Sequence, residues 1–296
     1  MKVLNFGSLN IDYTYQVEHI VNPKETISSL GLEVFPGGKG LNQSIALAKA
    51  GAEVYHAGLI GEDGLFLKEV CSSNHVHTDY IKESDTRTGN AIIQVSSAGE
   101  NSIILFPGAN RQNTKAYVDE VLGHFGEGDI LLLQNEINEV DYLIEKGKEK
   151  GMTVAFNPSP FDDYVRKCDL TKVDLFFVNE VEGEQITGEK LPENIIACMR
   201  EQFPEAEIVL TLGENGAIWS GKNENIAVPA VPAEAVDTTA AGDTFTGYFL
   251  AAVIEGRNKR QALERAAMAS AMAVAKKGAS ISIPWKEEVD QKIGSE

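Results

Sequence analysis

With 296 residues, 43% of them hydrophobic and 24% charged, the chain has an ordinary globular composition and enough length for one large α/β domain with a smaller appendage. A formal charge of −18 argues against nucleic acid or an anionic membrane as the main partner, since both would repel the protein at long range. Three scattered cysteines without Cys-x-x-Cys or His pairing offer neither a disulfide framework nor a zinc site, and no run approaches a membrane span, so a cytoplasmic protein in a reducing compartment is expected.

Residues 2–7 read as a short buried strand ending at Gly7, and Ser8, Asn10 and Asp12 follow at its C-terminal end, where open α/β sheets carry ligand groups. From Ile11 to Phe35 the pattern turns to half-alternating pieces broken at Asn22-Pro23 and stopped by Pro36, an antiparallel strand excursion. Gly37-Gly38-Lys39-Gly40 then leads into a helical pattern (Leu41, Ile45, Ala46, Ala48) closed by Gly51. A buried strand over 53–59 and a helix over 63–74 begin a βαβ rhythm. A hairpin over 90–106, turning at Ala98-Gly99-Glu100-Asn101, interrupts it, and the two excursions can pair into one small sheet. The rhythm resumes with strands at 129–134, 153–156, 174–178 and 207–212, a helix over 138–150, a helix opened by Asp243 and a second one from Lys259 to Lys277. Short apolar strands between helices predict a mainly parallel, Rossmann-like central sheet with helices on both faces, plus a small β-sheet lid.

Four segments could carry chemistry, and each has a plainer reading. Gly37–Gly40 is neither a Walker A loop, since Leu41 follows where Ser or Thr is needed, nor a dinucleotide fingerprint, since Gln43 stands where a third Gly belongs. What remains is a tight basic turn with Lys39 and Asn42 as polar reach, or a simple glycine turn. Asn179-Glu180-Val181-Glu182, past the end of a strand, could position hydrated Mg²⁺ and phosphate oxygens, or be a solvated helix start. Thr211–Gly216 has the composition of a loop over a nucleotide, or of a common turn; Glu136 could accept from a sugar hydroxyl, or start a helix. The five histidines show no metal-ligand spacing and read as structural or surface groups.

Val236–Phe245 is the most informative stretch. Ala240, Ala241 and Gly242 leave backbone N–H groups uncovered at a helix N-terminus, where the dipole favours negative charge. Asp243 there is either a helix cap or a general base for a bound hydroxyl.

Taken in order, Gly7–Asp12, Pro36–Gln43, Asn157-Pro158, Asn179–Glu182, Asp237–Phe245 and Lys277–Ala279 through Ile283-Pro284-Trp285 resemble the ribokinase (PfkB-type) family of sugar kinases from end to end. The resemblance implies transfer from ATP to a primary sugar hydroxyl, foremost O5 of D-ribose, with Asp243 as base and the backbone of Ala240, Ala241 and Gly242 as anion hole. It implies that Asn10, Asp12, Gly38, Lys39, Gly40, Asn42 and Glu136 hold the sugar, that Asn179, Thr211, Gly213, Gly216 and Gly242 face ATP, and that Glu182 acts on Mg²⁺ through water. A K⁺ loop would use Asp237, Thr239, Ala273, Lys276, Gly278 and Ser282. Residues 1–10, 36–87 and 107–296 would form the core, and 11–35 with 88–106 the lid, which in relatives often makes a homodimer interface. A kinase for another sugar or nucleoside shares these blocks, and a non-catalytic sensor on the same fold is the remaining alternative.

Overall fold

A computed structural model of the chain describes residues 1–294. In chain order the elements are β1 (Val3–Phe6), β2 (Asn10–Val17), β3 (Gly31–Gly37), α1 (Lys39–Lys49), β4 (Val54–Ile60), α2 (Leu65–Ser73), β5 (His77–Glu83), β6 (Gly89–Ser96) and β7 (Asn101–Phe106). Then come α3 (Lys115–Leu122), β8 (Ile130–Gln134), α4 (Val140–Glu149), β9 (Thr153–Asn157), β10 (Leu175–Asn179), α5 (Glu180–Thr187), α6 (Pro192–Gln202) and β11 (Glu207–Thr211). The chain closes with β12 (Ala217–Ser220), β13 (Asn225–Val228), α7 (Ala241–Ile254), α8 (Lys259–Val274) and α9 (Lys286–Ile293).

The central sheet runs β13-β12-β11-β10-β9-β8-β1-β4-β5 and is parallel except for the β11–β12–β13 edge, which is antiparallel. Its strands are buried on both faces because their apolar residues alternate sides: in β8, Ile130 and Leu132 join the core beneath α1 and α7, whereas Leu131 and Leu133 join the one beneath α3, α4 and α6. From β1 the chain builds outward through β4 and β5, then returns to the other side of β1 with β8. The β1/β8 boundary is therefore a topological switch point, where a crevice opens at the C-terminal strand ends.

The two strand excursions do form one sheet, ordered β3-β2-β6-β7. Each is antiparallel within itself, but β2 and β6 join them in parallel. Residues 10, 36 and 37 fall within strands of this small sheet.

Some expectations need correction. The helix over 241–254 begins two residues before Asp243, with Ala240 as its N-terminal cap residue in the left-handed region (φ 61°). Asp243 thus occupies the third helical position and is not the cap. The helix from Lys259 ends at Val274, before Lys277, because Lys276 turns back to donate to the Ala273 carbonyl (3.1 Å). Five features had no sequence expectation: edge strand β5, the β12–β13 pair, and helices α3, α6 and α9.

Helix α7 is buried over Asp243–Ala252, between α1 and α8. A Cβ at Gly247 would sit 2.4 Å from that of Ala46, so glycine lets the α1 and α7 backbones approach closely. That packing sets the two helix N-termini side by side over the crevice.

Candidate active site

The carboxylate of Asp243, 7% exposed, is held at both oxygens by α1: Asn42 Nδ2 donates to Oδ2 (3.0 Å) and Gln43 Nε2 to Oδ1 (2.8 Å). Beside it, the N-terminus of α7 faces open space. The Ala241 N–H is used in the turn, donating to the Thr238 carbonyl (3.2 Å), whereas those of Gly242 and Asp243 have no acceptor within the helix. A Cβ at Gly242 would meet no atom within 4 Å. These groups line a cavity of about 210 Å³ together with Lys39, Asn157, Asn179, Glu182 and Thr211.

Lys39 starts α1, and its own N–H donates to Glu136 Oε2 (3.0 Å). Burial works against its ammonium, but the Asp243, Glu136 and Glu182 carboxylates outweigh that and hold its pKa above the ordinary lysine value. Gly38 supplies the left-handed turn before the helix (φ 93°). Gly40 faces away from the cavity, giving its N–H to Ser8 Oγ and its carbonyl to Asn5 Nδ2.

On the small sheet, Asn10 Oδ1 accepts from Asn110 Nδ2 (2.7 Å), and Asp12 lies across Gly37, where a Cβ would overlap its carboxylate. Burial, with the Glu136 carboxylate adding to it, pushes the Asp12 pKa up from 3.8 to about 7. Glu136 also accepts from the Ser8 hydroxyl. Asn10, Asp12, Glu136, Lys39 and Asn42 therefore come together from β2 of the small sheet, the segment after β8, and α1.

Asn179 and Glu182 form a reciprocal capping box on α5, with Asn179 Oδ1 accepting from the Glu182 N–H (2.9 Å) and Glu182 Oε2 from the Asn179 N–H (2.8 Å). Asn179, Glu180 and Val181 of this helix start are exposed, but Glu182 is 7% exposed and lines the cavity, with Oε1 taking no hydrogen bond among the described residues. Thr211 also lines the cavity, whereas Gly213 and Gly216 lie just beyond it in a turn with φ of 51° and 97°.

Asp237 joins the two segments expected around a monovalent cation. Its Oδ1 accepts from the Thr239 N–H (2.9 Å) and Oδ2 from the Gly278 N–H (2.9 Å). Burial opposes its ionisation, but these hydrogen bonds prevail and hold its pKa below the ordinary value. The Ser282 hydroxyl is buried and donates to the Ala279 carbonyl (2.8 Å), Ala273 is buried, and the Lys276 ammonium points away toward Glu288 (3.7 Å).

Residues 1–286 match the sequence profile described as pfkB family carbohydrate kinase. The chain belongs to this family. It is 33% identical over 291 residues to a ribokinase of Haemophilus influenzae, covering 95% of both chains, and 34% identical over 301 residues to one of Staphylococcus aureus, covering 98% of this chain and 99% of the relative. A solved structure described as Arabidopsis thaliana ribokinase complexed with ribose and ATP superposes with a TM-score of 0.86 at 30% identity, over 98% of this chain and 97% of that one. Like other pfkB kinases it is a phosphotransferase acting on a sugar hydroxyl. Among the described residues no helix is long and apolar enough to cross a membrane, and no cluster of three or more His, Cys, Asp or Glu side chains could hold a metal.

Sequence reading missed Gln43, Asn110 and Asn157 in this pfkB kinase. Gln43 and Asn110 are buried and hydrogen-bonded to site residues, and Asn157 lines the cavity. Gln43 and Asn157 stand within blocks that carry the resemblance but receive no role there, and Gln43 otherwise enters only as a failure of the dinucleotide pattern. The available signal was a run of polar residues at 42–44 on what should be the apolar side of a buried helix.

Proposed function

We propose that this pfkB kinase is an ATP-dependent ribokinase, converting D-ribose and ATP to D-ribose 5-phosphate and ADP. The observation that carries the chemistry is the Asp243 carboxylate, held by Asn42 and Gln43 beside the uncommitted N–H groups of the α7 N-terminus. The choice of ribose rests on the similarity to ribokinases along nearly the whole chain.

In this reading Asp243 takes the proton of the sugar O5–H as O5 bonds to the γ-phosphorus. The bond from that phosphorus to the β–γ bridging oxygen breaks, and ADP leaves with the electron pair. The backbone of Ala240, Ala241 and Gly242 forms the anion hole, with the free Gly242 N–H as its donor toward the transferred group while the Ala241 N–H holds the turn closed on Thr238; the helix already fixes this geometry, so it needs no reorganisation. The Lys39 ammonium balances the surrounding carboxylates. Asn42 Oδ1 is buried without a partner among the described residues, an acceptor that a sugar hydroxyl would satisfy, and Asn10, Asp12, Gly38 and Glu136 complete the sugar set, whereas Gly40, its N–H and carbonyl taken by Ser8 and Asn5, packs behind it. Asn179, Thr211, Gly213 and Gly216 face the nucleotide.

The free Glu182 Oε1 at the cavity fits a role toward Mg²⁺ through water. Bound Mg²⁺ would neutralise charge on the ATP phosphates. Asp237, whose hydrogen bonds join Thr239 and Gly278, would with the oxygen atoms of Thr239, Ala273, Lys276, Gly278 and Ser282 make an all-oxygen donor set, which fits K⁺. Segments 11–35 and 88–106 act as a lid on the core formed by 1–10, 36–87 and 107–296. Exposed Leu32, Val34, Ile92, Ile104 and Phe106 on the small sheet support a homodimer through it. Three unpaired cysteines fit a cytoplasmic location.

The deciding experiment measures ADP release with MgATP across ribose, deoxyribose, fructose and nucleosides. Ribose is expected to give the highest kcat/KM; strong turnover of another acceptor with none of ribose overturns the assignment.

A further inference from the structure

Three neighbouring strands place polar side chains on the face covered by α1, where their registers would ordinarily carry apolar ones. Asn5 of β1 stands beside His56 of β4, and Gln134 ends β8 on the same side as Ile130 and Leu132. Gln43 and Ser44 of α1 meet them, and all five side chains are fully buried. Polar groups at such a depth are costly unless hydrogen-bonded; all of these are paired except Gln134 Oε1, and an apolar set would be simpler to stabilise.

Their hydrogen bonds run in one direction that fixes every amide. The Gly7 carbonyl can only accept, so His56 carries its proton on Nε2 (3.3 Å), and Nδ1 accepts from the Ser44 hydroxyl (2.8 Å). Burial keeps this imidazole neutral, its pKa pushed down to about 4. Asn5 Nδ2 donates to Ser44 Oγ (2.8 Å) and the Gly40 carbonyl (2.7 Å), which turns Asn5 Oδ1 toward Gln134. Gln134 Nε2 donates to Asn5 Oδ1 (2.9 Å) and to Gln43 Oε1 (2.7 Å). With its oxygen taken, Gln43 must present its NH₂ to Asp243 Oδ1 (2.8 Å) and to Asn157 Oδ1 (3.3 Å). A flip of Gln43 would set two oxygens against Asp243 and Asn157, and a flip of Gln134 would oppose oxygens at both ends.

We propose that Gln43 is a positioning residue for the base, and that the buried relay His56–Ser44–Asn5–Gln134 exists to keep its amide pointed at Asp243. With Asn42 on the other oxygen, the carboxylate is fixed about its last torsion before substrate arrives. The inference rests on Asp243 being the base.

The test compares Gln43→Met and Gln134→Met with the parent enzyme, following kcat, both KM values and the pH dependence of kcat/KM, with thermal unfolding and ADP binding to check folding. Gln43→Met removes one charge-assisted donor, so kcat should fall about 10- to 100-fold and the acid limb of the profile should move up by about one pH unit. KM for ATP should stay within about twofold. Lys39, and through it Glu136 and Glu182, are the charged groups around Asp243, and neither variant touches them. Gln134→Met leaves Asp243 its donor but frees that donor to flip, so it should shift the same limb by less. A folded Gln43→Met enzyme with parental kcat and acid limb sinks the proposal. So does a loss shared equally by kcat and both KM values with an unmoved limb, or a Gln134→Met profile identical to the parent. If Asp243→Asn keeps its activity, the base assignment itself is at fault; an inactive Asp243→Asn beside a parental Gln43→Met enzyme faults only the relay.

Discussion

The Lys277 ammonium lies 2.6 Å from the Glu33 carboxylate, tying strand β3 of the small sheet to the turn after α8. The next residue, Gly278, gives its N–H to Asp237, so the small sheet and the proposed cation loop share one turn. Both partners of the ion pair are exposed, which limits it to about 1 kcal/mol or less. Lys277→Met should therefore raise KM for the sugar by no more than about fivefold with kcat unchanged, and the difference should vanish at high salt. Steady-state kinetics at two ionic strengths check this; an effect on KM for ATP alone would show that the pair does not act through the small sheet.

Asp243→Asn keeps the shape of the side chain but removes its ability to take a proton. Turnover should fall by about 10²- to 10⁴-fold while ADP still binds, as read by isothermal titration. Near-parental turnover would take the base role away from this residue.

Gly242 separates a folding role from a ligand role. Its φ is not in the left-handed region, and a Cβ there touches nothing, so Gly242→Ala should fold at least as stably as the parent, by up to about 1 kcal/mol. The added methyl would nonetheless stand before the free N–H groups of α7. Unchanged thermal unfolding with a large loss of kcat is the expected pair of results, and full activity would move the phosphoryl group elsewhere.

The parallel strands β1, β4, β8, β9, β10 and β11 of the central sheet were legible because they are short apolar runs, unlike the β12–β13 edge pair, and the small sheet because its period of two and its Gly99 turn are local. Edge strand β5, with the exposed, mixed sequence His77–Glu83, carries no such signal, and α9 buries only Val289. At the site, Asp243, Lys39 and Glu182 stand out as charges at element ends. Gln43, Gln134 and Asn5 do not, since a buried amide matters through partners 35 to 200 residues away that only the fold supplies. The cap reading of Asp243 failed for a related reason: Ala240 adopts the left-handed conformation, which no residue-type preference announces.

Asp237 is ionised and organised by the Thr239 and Gly278 N–H groups, an arrangement suited to a weakly hydrated cation. Replacing K⁺ by Na⁺ should lower activity, and K⁺ should raise the unfolding temperature of the parent but not of Asp237→Ala. Equal behaviour in the two salts, in both assays, would rule out the site.

Asp12 gives the sugar site a pH dependence with a definite sign. Its folded pKa of about 7 lies above the ordinary 3.8, so below pH 7 the unliganded protein holds a proton there that the unfolded chain releases near pH 4. Its contribution to stability is therefore present at low pH and lost as pH rises from about 4 to about 7. Sugar hydroxyls donate to a carboxylate and favour its charged form, so binding below pH 7 must expel the proton. KM for the sugar should then fall as pH rises toward 7, by up to about tenfold per unit, and level off above it, while KM for ATP does not follow. Titration calorimetry in two buffers of different ionisation enthalpy should register release of up to one proton near pH 6, and Asp12→Asn should abolish both effects. Proton uptake, or a sugar KM indifferent to pH, would mean that Asp12 does not receive the sugar as a carboxylate.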